Sequence, residues 1–152
     1  MYDFVNLVKT EKGNISASIS GKVCKGGFSQ VEPKVVNGRP LLTFTLKTNS
    51  NIKAKYCYLT GQYSKDEEYS DICFIKVNLW DFTKVDLIKN SEEIILSGIL
   101  TKQIYEKDGR KFENFVLSGN QFSSLKVISF EAKNIAKSND FEDEGDYSDI
   151  PF

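Results

Sequence analysis

Apolar and polar residues alternate with a period of two over most of the chain between Ile15 and Leu117, and Gly, Asn and Asp interrupt this alternation repeatedly. Successive side chains of a strand point to opposite faces, so this period is typical of antiparallel strands that bury one face. Few segments show the spacing of an amphipathic helix. The pattern therefore predicts an all-β domain.

The alternation predicts five strands and one helix. In chain order they are strands at 14–23, 39–48 and 73–82, a short helix at 83–93, and two long strands within 94–122. The Asn37-Gly38 and Asp108-Gly109 pairs are strong turn signals. The stretch 49–71 is predicted to be a long excursion between strands, such as a hairpin extension. This order of elements is typical of an OB-fold, a five-stranded Greek-key barrel.

One face of the third predicted strand combines aromatic and basic side chains. If Ile75, Val77 and Leu79 fill the barrel, the opposite face presents Phe74, Lys76, Asn78 and Trp80. The same alternation on the fourth strand turns Thr101, Gln103 and Tyr105 outward, followed by Lys107, Arg110 and Lys111 around the hairpin. Exposed rings among cations can stack on the bases of a single strand and neutralise its phosphates. Exposed rings also serve cross-strand packing, and a run of lysines is often a solvated hairpin, so pattern alone leaves both explanations open.

The composition argues against an enzyme. The sequence contains no His, which removes the commonest general base and the Ser-His and Cys-His nucleophile pairs. Cys24, Cys57 and Cys73 are widely spaced and form no CxxC pair, so reduced structural thiols are expected, with no metal and no cofactor. The acidic pairs Glu67-Glu68 and Glu92-Glu93 lie among polar neighbours and are read as solvated surface.

Charge is distributed unevenly along the chain. Six of the 21 acidic residues lie in DFEDEGDYSDIPF, residues 140–152, which contains no Lys or Arg. The preceding residues therefore carry 20 basic against 15 acidic side chains, a net charge of +5. A basic body joined to an acidic segment without core-forming residues predicts a disordered tail that approaches basic surfaces. The expected organisation is an N-terminal extension at 1–13, an OB-fold domain at 14–131 and a flexible tail at 132–152.

The chain resembles the bacterial single-stranded-DNA-binding protein family. The resemblance rests on "NISASISGKV", "LLTFTLKT", "FIKVNLWDF", "ILSGILTKQIYEKDGRKF" and the terminal "DIPF". It implies that Phe74, Trp80 and Tyr105 stack on bases, that Lys76 contacts phosphate, and that Asp149, Ile150, Pro151 and Phe152 dock replication, recombination and repair proteins. It also implies a homo-oligomer, a tetramer or a dimer. A single Trp at the three stacking positions, Thr101 and Gln103 where the family has basic residues, and the nearly absent linker indicate an accessory paralogue from a plasmid or phage.

The expected function is binding of single-stranded DNA without strong sequence preference, together with recruitment of partner proteins by the tail. The expected DNA-binding set comprises Phe74, Lys76, Trp80, Tyr105, Gln103, Thr101, Lys107, Arg110 and Lys111, with Lys53, Lys55 and Tyr56 from the excursion. One alternative is an OB-fold protein-interaction module with weak or no DNA binding. The other is a nuclease on an OB barrel, for which no cluster of metal-binding carboxylates is found in the sequence. The N-terminus lacks a signal-peptide pattern and no apolar run is long enough to cross a bilayer, so a cytoplasmic protein without a membrane span is expected.

Overall fold

The computed structural model describes residues 3–25 and 30–131. This part of the chain forms eight strands and two helices. They are β1 (Val5–Lys9), β2 (Ile15–Val23), β3 (Glu32–Val36), β4 (Arg39–Thr48), α1 (Ile52–Thr60), β5 (Cys73–Trp80), α2 (Val85–Lys89), β6 (Ser91–Lys107), β7 (Arg110–Asn120) and β8 (Leu125–Phe130). The predicted acidic tail, 132–152, lies outside the described residues.

Five of the strands close into a ring. The hydrogen-bonded order is β2-β4-β5-β7-β6, and β6 pairs back to β2 along Ile15–Lys22. All neighbours in the ring are antiparallel except β5 and β7, which are parallel. This connectivity, with α2 between the third and fourth strands of the ring, is that of the OB-fold. The prediction of a mostly β chain with this fold is confirmed.

The alternation of the sequence decides which side chains fill the ring. Odd-numbered residues of β2 and β5 point inward, and among them Ile19 and Val77 are fully buried. The even-numbered residues of β4, such as Phe44, join them from the neighbouring strand. Because a slip of one residue would turn these apolar sets outward and bury lysines instead, the register is strongly fixed.

Gly21 lies where β2 leaves β6 and begins to pair with β4. A Cβ atom at this position would lie 2.8 Å from Thr48 Oγ1 and 2.9 Å from the carbonyl oxygen of Lys47. The absence of a side chain lets the two strands approach closely enough to close the ring. The bend expected at Gly21 is therefore where β2 exchanges partners.

The count of elements differs from the sequence prediction. The structure adds β1, β3 and β8 to the five expected strands, and it adds α1 to the one expected helix. Residues 1–13, expected as an extension, contain β1, which pairs along its whole length with β2. The excursion at 49–71 is not a hairpin extension, because its first half is α1. Neither helix of the described chain is long and apolar enough to span a membrane.

Candidate nucleic-acid interface

The two faces of β5 differ as the sequence predicts. Ile75, Val77 and Leu79 are completely buried in the ring. On the opposite face the Phe74 side chain is 60% exposed, and Lys76 is also exposed. Both residues are turned outward by the same alternation that buries their neighbours. Strand β5 therefore presents a ring and a cation side by side on the surface.

Neighbouring strands continue this outer face. The register places Thr45 of β4 and Val116 of β7 on either side of Lys76, and it places Lys47 of β4 beside Phe74. Thr101 of β6 pairs with Val116, so it belongs to the same row as Lys76. The outward residues of β4, β5, β7 and β6 thus lie in one row, in which Lys76 and Thr101 are exposed and Val116 between them is buried.

A groove crosses this face beside Phe74 and Lys76. Its volume is about 370 Å³, and it is open along one side. Its lining residues are Gln30, Glu32, Lys34, Thr43, Phe44, Thr45, Phe74, Lys76, Asn114 and Phe115. Among the described residues Lys76 makes no ion pair, whereas Lys34 lies 4.0 Å from Glu32. The Lys76 ammonium is consequently available to an anionic ligand in the groove.

Trp80 lies at the far end of the same face and is half-buried. The guanidinium carbon of Arg39 lies 4.5 Å from the centre of the indole ring. Such a contact is a cation–π interaction, which stabilises both side chains. A base that stacks on this side of Trp80 has to displace the guanidinium or stack on it.

A second aromatic pair lies on the ribbon formed by the ends of β6 and β7. The register places Tyr105 opposite Phe112, and their rings stack with centres 5.5 Å apart and planes at 25°. Gln103 lies next to Tyr105 on the same side, opposite Asn114. Because Asn114 also lines the groove beside Phe74, the ribbon extends the outer face of the barrel.

The turn at the tip of the ribbon is basic. Asp108 and Gly109 both have positive φ, 54° and 78°, as a two-residue hairpin turn requires. Lys107 and Arg110 line a recess next to Phe112. Lys111 lies opposite Glu106 in the strand register, on the side of the ribbon that faces away from Tyr105. The three predicted cations are exposed, but they do not share one face.

The residues predicted from the excursion lie away from the outer face. Tyr56 of α1 packs edge-on against Phe115, with ring centres 5.2 Å apart. The Lys53 ammonium is 2.8 Å from Glu113 and 2.6 Å from Glu67, and these carboxylates, Glu113 first, raise its pKa. Lys55 is exposed and donates to Asn51 Oδ1 at 2.8 Å. Lys53 and Tyr56 thus contact the face of the ribbon opposite Tyr105, and they do not line the groove.

Sequence reasoning missed several residues of this surface. Phe112 follows from the turn at Asp108-Gly109, since counting outward from that turn pairs it with Tyr105. Thr43 and Thr45 follow from the alternation of β4 once the inward residues are assigned. Arg39 had no such signal, because its contact with Trp80 depends on how β4 and β5 lie side by side.

Other chemistry is sparse in the described part of the chain. It contains no group of three or more Asp, Glu, Cys or His side chains that could hold a metal ion. Burial raises the pKa of the Cys73 thiol to about 11, so this thiol is protonated at neutral pH. The predicted partner-binding residues Asp149, Ile150, Pro151 and Phe152 lie outside the described residues.

Comparisons with known proteins give matches to solved structures alone. No protein-family model matches the sequence, and no curated protein matches it. Similar structures include a Plasmodium falciparum SSB in complex with ssDNA, at 17% identity over 76% of this chain and 93% of that chain, with a TM-score of 0.47. A small single-stranded DNA-binding protein from Streptomyces coelicolor matches at 12% identity over 75% and 94% of the two chains (TM-score 0.48), and a mitochondrial single-stranded DNA binding protein from S. cerevisiae at 8% over 76% and 96% (TM-score 0.46). At these identities and TM-scores the similarity does not establish what this chain binds.

Proposed function

We propose that this protein binds single-stranded DNA on the outer face of β4, β5, β7 and β6. The observation that carries the proposal is the exposed Phe74 ring in a groove beside the Lys76 ammonium, which forms no ion pair with any residue that the structure describes. A base offers its flat face to the ring, and the adjoining phosphate offers its charge to the lysine. Duplex DNA keeps its bases stacked inside, so this arrangement favours an unpaired strand.

The strand has room to continue in both directions from Phe74. Tyr105 and Phe112 offer stacking surface on the ribbon, and Gln103 and Thr101 offer hydrogen-bonding groups next to them. Trp80 with Arg39 offers a ring and a cation at the other end. Stacking and phosphate contacts need no particular base, so binding without strong sequence preference is proposed.

Self-association through a second surface is part of the proposal. The β1-β2-β6 side of the barrel carries exposed apolar residues, Phe4, Val8 and Ile99, among the small hydroxyl side chains of Ser16, Ser18 and Ser97. Exposed apolar patches of this kind mark interaction surfaces. A second copy of the chain is the proposed occupant, and a dimer or tetramer is the expected assembly.

One experiment tests both binding and assembly. The mass of the full-length chain is measured with and without a dT oligomer while Trp80 fluorescence is recorded. We expect the protein to form a homo-oligomer, and its mass should rise by the mass of the bound dT oligonucleotide. Binding should quench the Trp80 fluorescence, and the affinity for DNA should fall as the salt concentration rises. Equal affinity for duplex DNA would indicate a general basic surface, and an unchanged mass would favour the interaction module without DNA binding. Turnover of the oligomer in magnesium would favour the nuclease.

The acidic tail is proposed to recruit replication, recombination or repair proteins. Ile150, Pro151 and Phe152 supply an apolar anchor, and the six carboxylates speed encounter with basic partners. Deletion of 149–152 is expected to abolish pull-down of these partners and to leave the affinity for dT oligomers equal or higher. A deletion of equal length at 132–135 is the control. Partners that still bind the shortened chain would contradict the proposal.

A further inference from the structure

The ribbon of β6 and β7 extends beyond the support of the barrel. β2 pairs with β6 only as far as Leu100, and β5 pairs with β7 only from Phe115 onward. Between these points and the turn, the two strands pair only with each other. A two-stranded ribbon is marginally stable by itself in water. Another part of the molecule has to hold it if Tyr105 and Phe112 are to keep a fixed position.

The excursion between β4 and β5, which contains α1, holds the ribbon through contacts on the face opposite Tyr105 and Phe112. The Lys53 ammonium of α1 lies 2.8 Å from Glu113 Oε1 and 2.6 Å from Glu67 Oε2. From the ribbon, the Lys102 ammonium lies 3.6 Å from Glu113 Oε2 and donates to Gln62 Oε1 at 3.3 Å. Glu113 therefore forms one ion pair with the helix and a second, longer one with its own ribbon.

These groups are more enclosed than ordinary surface ion pairs. The Lys102 side chain is only 13% exposed, and those of Lys53 and Glu113 are each 33% exposed. The pKa of Glu113 is lowered, chiefly by the hydrogen bond from Lys53, and the pKa of Lys53 is raised, chiefly by the same bond. Partial burial and shared contacts reduce solvent screening, so this network restrains the ribbon more than an isolated exposed pair would.

We propose that Lys53 and Glu113 are positioning residues, which lock the ribbon against α1 so that Tyr105 and Phe112 are presented to DNA. Neither residue faces the groove, and each acts through the rings on the other side of the ribbon. This role rests on the proposed DNA binding. In this role α1 affects DNA binding through the ribbon, whereas the sequence prediction places Lys53 in direct contact with DNA.

The change in charge and the loss of the contact between ribbon and helix predict opposite effects of Glu113→Gln on the affinity for DNA. The substitution removes one negative charge and releases two lysines, so counterion release alone predicts tighter binding to DNA. Loss of the lock predicts weaker binding, because the rings then have to be ordered when DNA binds. The sign of the change separates the two explanations.

The test is a double-substitution cycle with dT oligomers on the full-length chain. Tyr105→Ala is expected to weaken binding about tenfold in the unmodified background. In the Glu113→Gln background the same substitution is expected to cost less than about threefold, because the ring is already poorly placed. Glu106→Gln is the matched control, since it removes the same charge from the same side of the ribbon at an exposed position without an ion pair among the described residues. It should leave the cost of Tyr105→Ala unchanged.

Lys53→Gln repeats the cycle from the side of the helix, and circular dichroism verifies that each variant is folded. Faster hydrogen exchange of ribbon amides in Glu113→Gln and Lys53→Gln is expected as well, with rescue by Glu113→Asp. If the unmodified chain does not bind dT oligomers, the proposed function and the positioning role both fail. If it binds and Tyr105→Ala costs the same in all backgrounds, only the positioning role is overturned.

Discussion

Phe74→Ala is expected to weaken binding of dT oligomers by about 5- to 150-fold, because stacking of one base on an aromatic side chain is worth about 1–3 kcal/mol. Phe74 is the first outward residue of β5, lies beside Lys47, and lines the groove together with Asn114. A strand that crosses the face has to pass it. The affinity is measured by titration at several salt concentrations, and the slope against salt should stay the same because no charge is lost.

The matched control is Phe130→Ala. Phe130 is 51% exposed, close to the 60% of Phe74, but it lies on the edge strand β8, away from the groove. Neither substitution removes a buried side chain, so both variants should unfold near the temperature of the unmodified chain. If both substitutions weaken binding equally, or if neither does, Phe74 does not stack on DNA and the proposed site is wrong.

The sequence predicts the strands of the ring well because burial and alternation coincide there. In β5 the alternate residues Ile75, Val77 and Leu79 are completely buried, and the sequence shows the same alternation of apolar and polar residues. The added strands lack it. β3 contains Pro33, which is tolerated because β3 pairs only with β4, yet proline argues against a strand in a sequence. The turn predicted at Asn37-Gly38 is confirmed, whereas the strand that precedes it has no clear signal in the sequence.

The helix α1 could not be predicted for a different reason. Its apolar residues fit both periods: Ile52, Ala54 and Tyr56 alternate with lysines as in a strand, whereas Ile52, Tyr56 and Leu59, which pack on the core, have the i, i+4, i+7 spacing of a helix. No side chain caps its first turn, and its clearest signal is Gly61, whose φ of 77° ends the helix. Contacts with distant residues, such as that of Tyr56 with Phe115, hold it in place. Such contacts are not readable from local sequence.

The residues of the candidate site likewise fall into two groups, those that follow from local alternation and those whose contacts depend on distant parts of the chain. Phe74, Lys76 and Trp80 follow from the alternation of one strand, and Tyr105 from that of another. The prediction that Lys53, Lys55 and Tyr56 contact DNA rests on the mixture of lysines and tyrosines in their segment. In the helix, Lys53 contacts Glu113, a partner 60 positions away that local composition does not reveal.

Gly98→Ala is expected to destabilise the protein by about 2–4 kcal/mol, since overpacking costs typically about 1–3 kcal/mol and each lost ladder hydrogen bond adds about 0.5–1.5 kcal/mol. A Cβ atom at Gly98 would lie 2.5 Å from the carbonyl oxygen of Ser118 and 3.3 Å from Leu117 Cδ1. The first of these atoms belongs to the backbone of β7, which cannot move without disturbing its pairing with β5 and β6. The midpoint of thermal unfolding should fall by on the order of 10 °C.

Gly119→Ala is the control that distinguishes a steric clash with a backbone atom from a clash with a side-chain atom. Its Cβ atom would also lie 2.5 Å from an oxygen, but that oxygen is the side-chain hydroxyl of Ser123, which can move at the cost of the hydrogen bond that it accepts from the Asn120 N–H. The same added methyl group should therefore cost less at Gly119 than at Gly98. Because Ser118 is paired with Asn78 of β5, a shift of β7 at Gly98 also displaces the surface next to Lys76. Gly98→Ala should consequently weaken binding of dT oligomers even below its unfolding temperature, and unchanged affinity together with unchanged stability would show that the close approach of β6 and β7 is not required.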